Sequence, residues 1–192
     1  MLGRAVTFPN KAHLMSAVAA PASLDFRTLW GAAIPFSRFL DECAPEHVPL
    51  WKGVYRTATI PTWIATLDLA PSCRLLVIAE DWCGDGANTV PVIQKWAEEE
   101  GLELRILKRD EHPEVMDRYL VGGARSIPIV IALDADFREL GHWGPRPAEL
   151  QAWVLAHKDS MDKDARYKEI RRWYARDRGE TTLREVARMM VR

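Results

Sequence analysis

Apolar runs and amphipathic stretches alternate along the middle of the chain. Residues 74–80 form an almost unbroken apolar run, which is typical of a buried strand. Residues 89–100 repeat apolar side chains at helical spacing, and residues 102–107 alternate with the period of a strand. Two further apolar segments, residues 127–133 and 137–143, flank an Asp-Ala-Asp turn. The pattern predicts four strands, with a helix after the first.

Two more helices complete this central region. Pro113 stands at a first-turn position, so we expect a helix from it to Leu120, where Gly122 and Gly123 follow as a stop signal. Residues 146–157 carry a third amphipathic pattern. The order β-α-β-α-β-β-α predicts an α/β fold: a central mixed sheet of about four strands with helices on both faces.

The two ends of the chain have a helical pattern. We predict an α-helical N-terminal extension over residues 1–70, a central domain over 71–157 and a C-terminal helical extension over 158–192 packed on that domain. In the last helix, Thr182 and Glu185 have the spacing of a capping box. Extra helices are therefore expected at both termini.

Composition excludes several classes of protein. The formal net charge is −1, so no overall field attracts nucleic acid. No apolar run reaches the length of a membrane span. Three cysteines and five histidines show no zinc-binding spacing, so no metal site is expected. We predict a cytoplasmic protein; export through residues 1–22, which include a short apolar run behind Arg4 and Lys11, is the alternative. The oligomeric state is left open.

The candidate chemistry lies where the first strand meets its helix, at Trp82-Cys83-Gly84-Asp85-Gly86. A Cys-x-x-Cys redox motif would have a second cysteine at position 86, and this chain has glycine. Backbone N–H groups at the start of a helix lower the pKa of a nearby thiol, whereas the Asp85 carboxylate raises it. We therefore expect Cys83 to be a moderately activated thiol.

Several spaced residues together resemble a known family. Trp82 and Cys83 are followed by Pro91 in the predicted helix, by Ile127-Pro128 at a later strand, and by the run Trp143-Gly144-Pro145-Arg146-Pro147 at the last strand-to-helix junction of the domain. With these features the chain resembles the thioredoxin-like superfamily, and most closely the bacterial thioredoxin family proteins with a Trp-Cys-Gly-Asp-Cys site. The resemblance covers residues 74–157.

The resemblance implies a thioredoxin-like fold and a set of roles. Cys83 would be the nucleophile, Trp82 its apolar platform, and Asp85 and Gly86 the start of the active-site helix. A cis Pro128 would expose the backbone of Ile127 to a thiol- or peptide-bearing partner, with Arg125 close by. No cofactor is implied beyond a low-molecular-weight thiol such as glutathione as co-substrate, and protein thiols or disulfides would be the partners.

Gly86 leaves three hypotheses open. In the first, Cys83 is a monothiol that forms mixed disulfides, which external thiols resolve. In the second, the protein is a redox-inactive binding module that uses the groove beside Trp82, Cys83 and Pro128. In the third, position 86 has been altered from a dithiol enzyme. Neither other cysteine is well placed as a resolving thiol, because Cys73 begins the first strand and Cys43 lies in the N-terminal helices.

Overall fold

A five-stranded mixed sheet is the centre of the computed structural model, which describes residues 24–192. Its order is β1-β3-β2-β4-β5, with β2 and β3 parallel and the other neighbours antiparallel. The strands are β1 (Ile34–Pro35), β2 (Arg74–Ala79), β3 (Glu103–Lys108), β4 (Ile129–Leu133) and β5 (Glu139–Trp143). The export alternative for residues 1–22 lies outside the described residues.

Eight α-helices surround this sheet in the described part of the chain. They are α1 (Phe26–Ala32), α2 (Phe36–Glu42), α3 (Val48–Thr57), α4 (Gly84–Glu100), α5 (Pro113–Met116), α6 (Ala148–His157), α7 (Lys163–Asp177) and α8 (Glu180–Ala187). Short 3-10 turns occur at Thr62–Thr66 and Arg109–Glu111. Between residues 24 and 192, none of the helices is both long and apolar enough to cross a bilayer.

The α/β fold class and the four predicted strands are confirmed, each strand within two residues at its ends. The fifth strand, β1, was not predicted. It has two residues and ends in a proline, which cannot donate to a ladder and suits only an edge position. An element this short has no periodicity to detect, so it was included in the predicted helical extension.

The sheet is buried on both faces. On one face Leu75 and Val77 of β2 pack in the same cluster as Trp51 of α3, Trp96 of α4 and Leu183 of α8. The other face carries a second cluster, which contains Leu76, Ile78, Trp30, Val115, Met116 and Cys83. There are two clusters because alternate residues of β2 point to opposite faces of the sheet. Helices from both ends of the chain contribute side chains to them, so these helices share the core of the central sheet.

Two local predictions are wrong. Thr182 and Glu185 form no capping box: α8 begins at Glu180 after Gly179, and Thr182 is fully buried inside the helix. The Glu185 carboxylate instead accepts hydrogen bonds from Trp143 Nε1 at 2.6 Å and the Ala148 N–H at 3.0 Å.

The helix that starts at Pro113 ends at Met116 and not at Leu120. The N–H groups of Arg118 and Tyr119 donate to carbonyls three residues earlier, so the chain tightens into turns there.

Candidate functional site

Cys83 is the N-cap residue of α4 and follows β2 after a three-residue turn. Its side chain is only 7 % exposed. The sulfur makes two hydrogen bonds: the Gly86 N–H donates to Sγ, and the thiol donates to the backbone oxygen of Ile127, both at 3.3 Å. The Ile127–Pro128 peptide is cis. A protonated thiol satisfies both partners, since it donates one hydrogen bond and accepts the other.

The electrostatic surroundings favour this protonated form. Burial raises the pKa of Cys83 to about 11, and the Asp85 carboxylate adds to this effect. The Gly86 N–H and the Arg146 guanidinium oppose it with smaller contributions. The expectation of a moderately activated thiol is therefore wrong, because the loss of solvation outweighs the helix N-terminus.

Asp85 is the centre of a buried charged network directly after Cys83. One carboxylate oxygen accepts a hydrogen bond from the Tyr174 hydroxyl at 2.9 Å, and the other lies 2.6 Å from Arg146. Burial raises the pKa of Asp85, while Arg146 and Tyr174 act in the opposite direction. The network joins the start of α4 to α7 and to the segment before α6. It also keeps a negative charge beside the sulfur.

Gly86 lies against Trp51, which is fully buried and donates from Nε1 to the Asp81 backbone oxygen at 2.8 Å. A Cβ added at position 86 would lie 3.4 Å from the Trp51 ring and 3.5 Å from the Cys83 Cβ. Disulfides join Cβ atoms roughly 3.5–4.5 Å apart. The backbone at positions 83 and 86 therefore has a Cβ spacing that a disulfide could bridge.

The other two cysteines are also free thiols. Cys43 packs against the Val77 side of the sheet, whereas Cys83 belongs to the opposite core cluster. Cys73 is buried immediately before β2, at the end of the strand away from Cys83. The N-terminal segment does reach the site loop, since the Ala44 N–H donates to the Asp81 carboxylate at 2.7 Å, but it does not bring Cys43 into a disulfide with Cys83.

A cavity of about 670 Å³ opens above the sulfur. It brings together five of the seven residues that the sequence suggested as site residues: Trp82, Cys83, Asp85, Arg125 and Ile127. The remaining two, Gly86 and Pro128, are not part of its lining.

Trp82 stands beside the cavity as an exposed ring. About half of its surface is exposed, and the Arg109 guanidinium stacks 4.7 Å from its centroid. Arg125 is held in a two-point ion pair with Asp117, at 2.8 and 2.9 Å.

Other lining residues were not predicted. Arg146 and, from α7, Lys163, Tyr167 and Arg171 all contribute to the wall of the cavity. They lie more than sixty residues from Cys83 in the sequence. Arg146 belongs to the run 143–147, but no local motif marks the three residues of α7. Only the packing of α7 over the start of α4 brings those three to the site. In residues 24–192 no group of three or more His, Cys, Asp or Glu side chains is arranged to hold a metal ion.

Comparisons with known proteins agree on the fold. A family model described as Thioredoxin matches residues 33–176. The chain is similar to a protein of unknown function from Pseudomonas aeruginosa, with a TM-score of 0.69 and 18% identity over 87% of this chain and 97% of that one. It is also similar to an HIV epitope scaffold, with a TM-score of 0.68 and 17% identity over 86% and 97%. No curated protein sequence matches. At these identities the two structures show the fold alone.

Asp85→Asn tests the effect of the buried carboxylate on the thiol. Asp85 is ionised at the alkaline pH where Cys83 titrates. Removing the Asp85 charge leaves Arg146 as the dominant charge near the sulfur. We expect the pKa of Cys83 to fall from about 11 to roughly 10, with alkylation at pH 8 roughly fivefold faster. The measurement is the iodoacetamide rate against pH. Asp164→Asn, on the cavity rim, is the control, and equal rates in the two variants would contradict the effect.

Gly86→Cys tests whether the spacing of a redox pair persists. With Cβ atoms 3.5 Å apart, we expect mild oxidation to form an internal disulfide, with the Trp51 ring moving slightly to admit the new sulfur. Intact mass and thiol counting would detect the loss of two thiols. Gly53→Cys, where an added Cβ meets no atom within 4 Å, controls for adventitious pairing. Four free thiols in Gly86→Cys after oxidation would contradict the prediction and would show that the backbone spacing alone does not support a disulfide.

Proposed function

We propose that this protein, which belongs to the thioredoxin family by the match over residues 33–176, is a binding module. It uses the cavity above Cys83 to bind a ligand and does not carry out redox turnover. The observation that carries the proposal is the hydrogen bonding of the sulfur, which receives the Gly86 N–H and donates to the Ile127 carbonyl. The proton is part of this arrangement. Ionisation would set a negative sulfur 3.3 Å from a carbonyl oxygen and remove one hydrogen bond.

The raised pKa of the thiol argues against rapid exchange. With a pKa of about 11, about one Cys83 in ten thousand is ionised at neutral pH. The thiolate is the attacking species in thiol–disulfide exchange, and the greater nucleophilicity of a basic thiolate offsets only part of this loss. Cys43 and Cys73 are free thiols outside the cavity lining, so an internal resolving step is not supported either.

The same groups suit a binding role. The cavity has a volume in the range of small-molecule sites, roughly 300–1,000 Å³, and its rim includes the half-exposed rings of Trp82 and Tyr167. The Ile127 carbonyl already accepts a hydrogen bond from the thiol. A partner that adds a strand at this edge would have to share that carbonyl with the thiol, whereas a ligand in the cavity leaves the hydrogen bond as it is, which favours the cavity ligand.

Monothiol exchange is the second candidate, because Cys83 lies in the lining of this cavity and the Gly86 N–H points at its sulfur. In this alternative the Cys83 thiolate attacks a disulfide of a protein or of a low-molecular-weight thiol, such as oxidised glutathione. A sulfur–sulfur bond forms between Cys83 and one half of that disulfide, and the other half leaves as a thiol. An external thiol later attacks the mixed disulfide and releases Cys83.

Reaction with oxidised glutathione separates the two candidates. A Cys43→Ser/Cys73→Ser variant leaves Cys83 as the only thiol, and the same protein in urea supplies the unperturbed rate. We expect the folded protein to form the mixed disulfide at least roughly tenfold more slowly than the unfolded chain, because the thiolate fraction falls with the raised pKa. Intact mass spectrometry follows the adduct. An adduct that forms faster on the folded protein would overturn the binding module and establish exchange.

A further inference from the structure

We propose that the cavity above Cys83 binds a small amphipathic anion: an organic carboxylate with an apolar body. This names the ligand class of the proposed binding module and rests on that function. Five cationic and two acidic side chains line the cavity, although the whole chain has a formal net charge of −1. The lining of the cavity therefore carries an excess of positive charge, whereas the chain as a whole is close to neutral.

Three of the five cations have protein partners. Arg146 pairs with Asp85 at 2.6 Å, Arg125 with Asp117 at 2.8 Å, and Arg109 with Asp110 at 2.6 Å. The other two, Lys163 and Arg171, have no carboxylate oxygen within 4.0 Å in the described part of the chain. These two charges remain available to an incoming anion.

The position of α7 places Lys163 and Arg171 on the wall of the same cavity. Lys163, Tyr167 and Arg171 are four residues apart and so share one helical face, which lines the cavity. Ile170 and Tyr174 are buried beneath this face, and the Tyr174 hydroxyl bonds Asp85. α7 is therefore fixed to the start of α4, and its unpaired charges are fixed relative to the cavity.

Apolar groups on the rim define the rest of the ligand. Trp82, Tyr167 and Leu50 line the cavity and are each between two fifths and one half exposed. Isolated exposed apolar residues are common, but three around one positively charged cavity make a surface that an amphipathic molecule fits. Carboxylate oxygens would reach Lys163 and Arg171 while the apolar body covers the rings. The cavity volume of about 670 Å³ lies in the range of small-molecule sites, which fits a ligand of this class.

S-hexylglutathione is a suitable probe, because it carries two carboxylates and a six-carbon chain and has no free thiol. Its diester has the same apolar body without the carboxylate charges. By titration calorimetry we expect S-hexylglutathione to bind, the diester to bind more weakly, and the affinity for the acid to fall as salt is added. Binding of acid and diester with equal affinity would overturn the anion class while leaving a binding groove in place.

Two double variants of α7 test whether the cationic side chains in the cavity bind the anion. Lys163→Gln/Arg171→Gln removes both unpaired cations, and Lys168→Gln/Arg176→Gln removes two exposed charges from the same helix outside the cavity. We expect the Kd for S-hexylglutathione to rise roughly tenfold in the first variant and to stay within about twofold in the second. Equal losses in both, or no binding by the wild type, would overturn the inference. Failure of the proposed function would be seen in a separate experiment, as a rapid reaction of Cys83 with oxidised glutathione. S-hexylglutathione has no free thiol or disulfide and cannot give that result.

Discussion

The burial of a single protonated thiol at the start of α4 is the constraint on which the site depends. Cys83 caps the helix, receives the Gly86 N–H and donates to the carbonyl before the cis proline, so it links β2, α4 and the loop before β4. Both hydrogen-bond partners of the sulfur are neutral backbone groups, an N–H and a carbonyl. Because the sulfur is shielded from water, the local structure holds the proton rather than releasing it.

The rest of the site is built around that buried group. Asp85 is buried beside the sulfur and is balanced by Arg146 and Tyr174, which draws α7 over the helix start. Trp51 occupies the space next to Gly86, where a second thiol would stand in a redox pair. The same packing forms the wall of the cavity and gives it a positive lining. The thioredoxin fold of this chain thus presents a concave surface with a charge pattern of its own.

The central sheet was predictable because β2, β3 and β4 carry a strong apolar pattern and β5 follows a recognisable Asp-Ala-Asp turn. Cys83 was found because its motif is local. The cation-rich wall was not predictable, since Lys163 and Arg171 come to the site only through tertiary packing of α7, and no neighbouring residue indicates that Arg146 pairs with Asp85. The protonation state was misjudged for a related reason. The helix start and Asp85 can be read from neighbouring residues, whereas the desolvation of the thiol depends on the whole fold. The predicted capping box at Thr182 had the right spacing at the wrong position, since Gly179 is the N-cap of α8 and Thr182 is the third residue of the helix.

The most direct test of a protonated resting thiol is the titration of Cys83 itself. The Cβ carbon of a cysteine shifts on ionisation, so ¹³C NMR of the Cys43→Ser/Cys73→Ser variant follows this one group without any reagent entering the cavity. We expect the Cβ resonance to stay at its protonated position through the neutral range and to move only as the pH approaches about 11. A midpoint below the ordinary thiol value of roughly 8.5 would contradict it, and would show that the helix start activates the sulfur despite its burial.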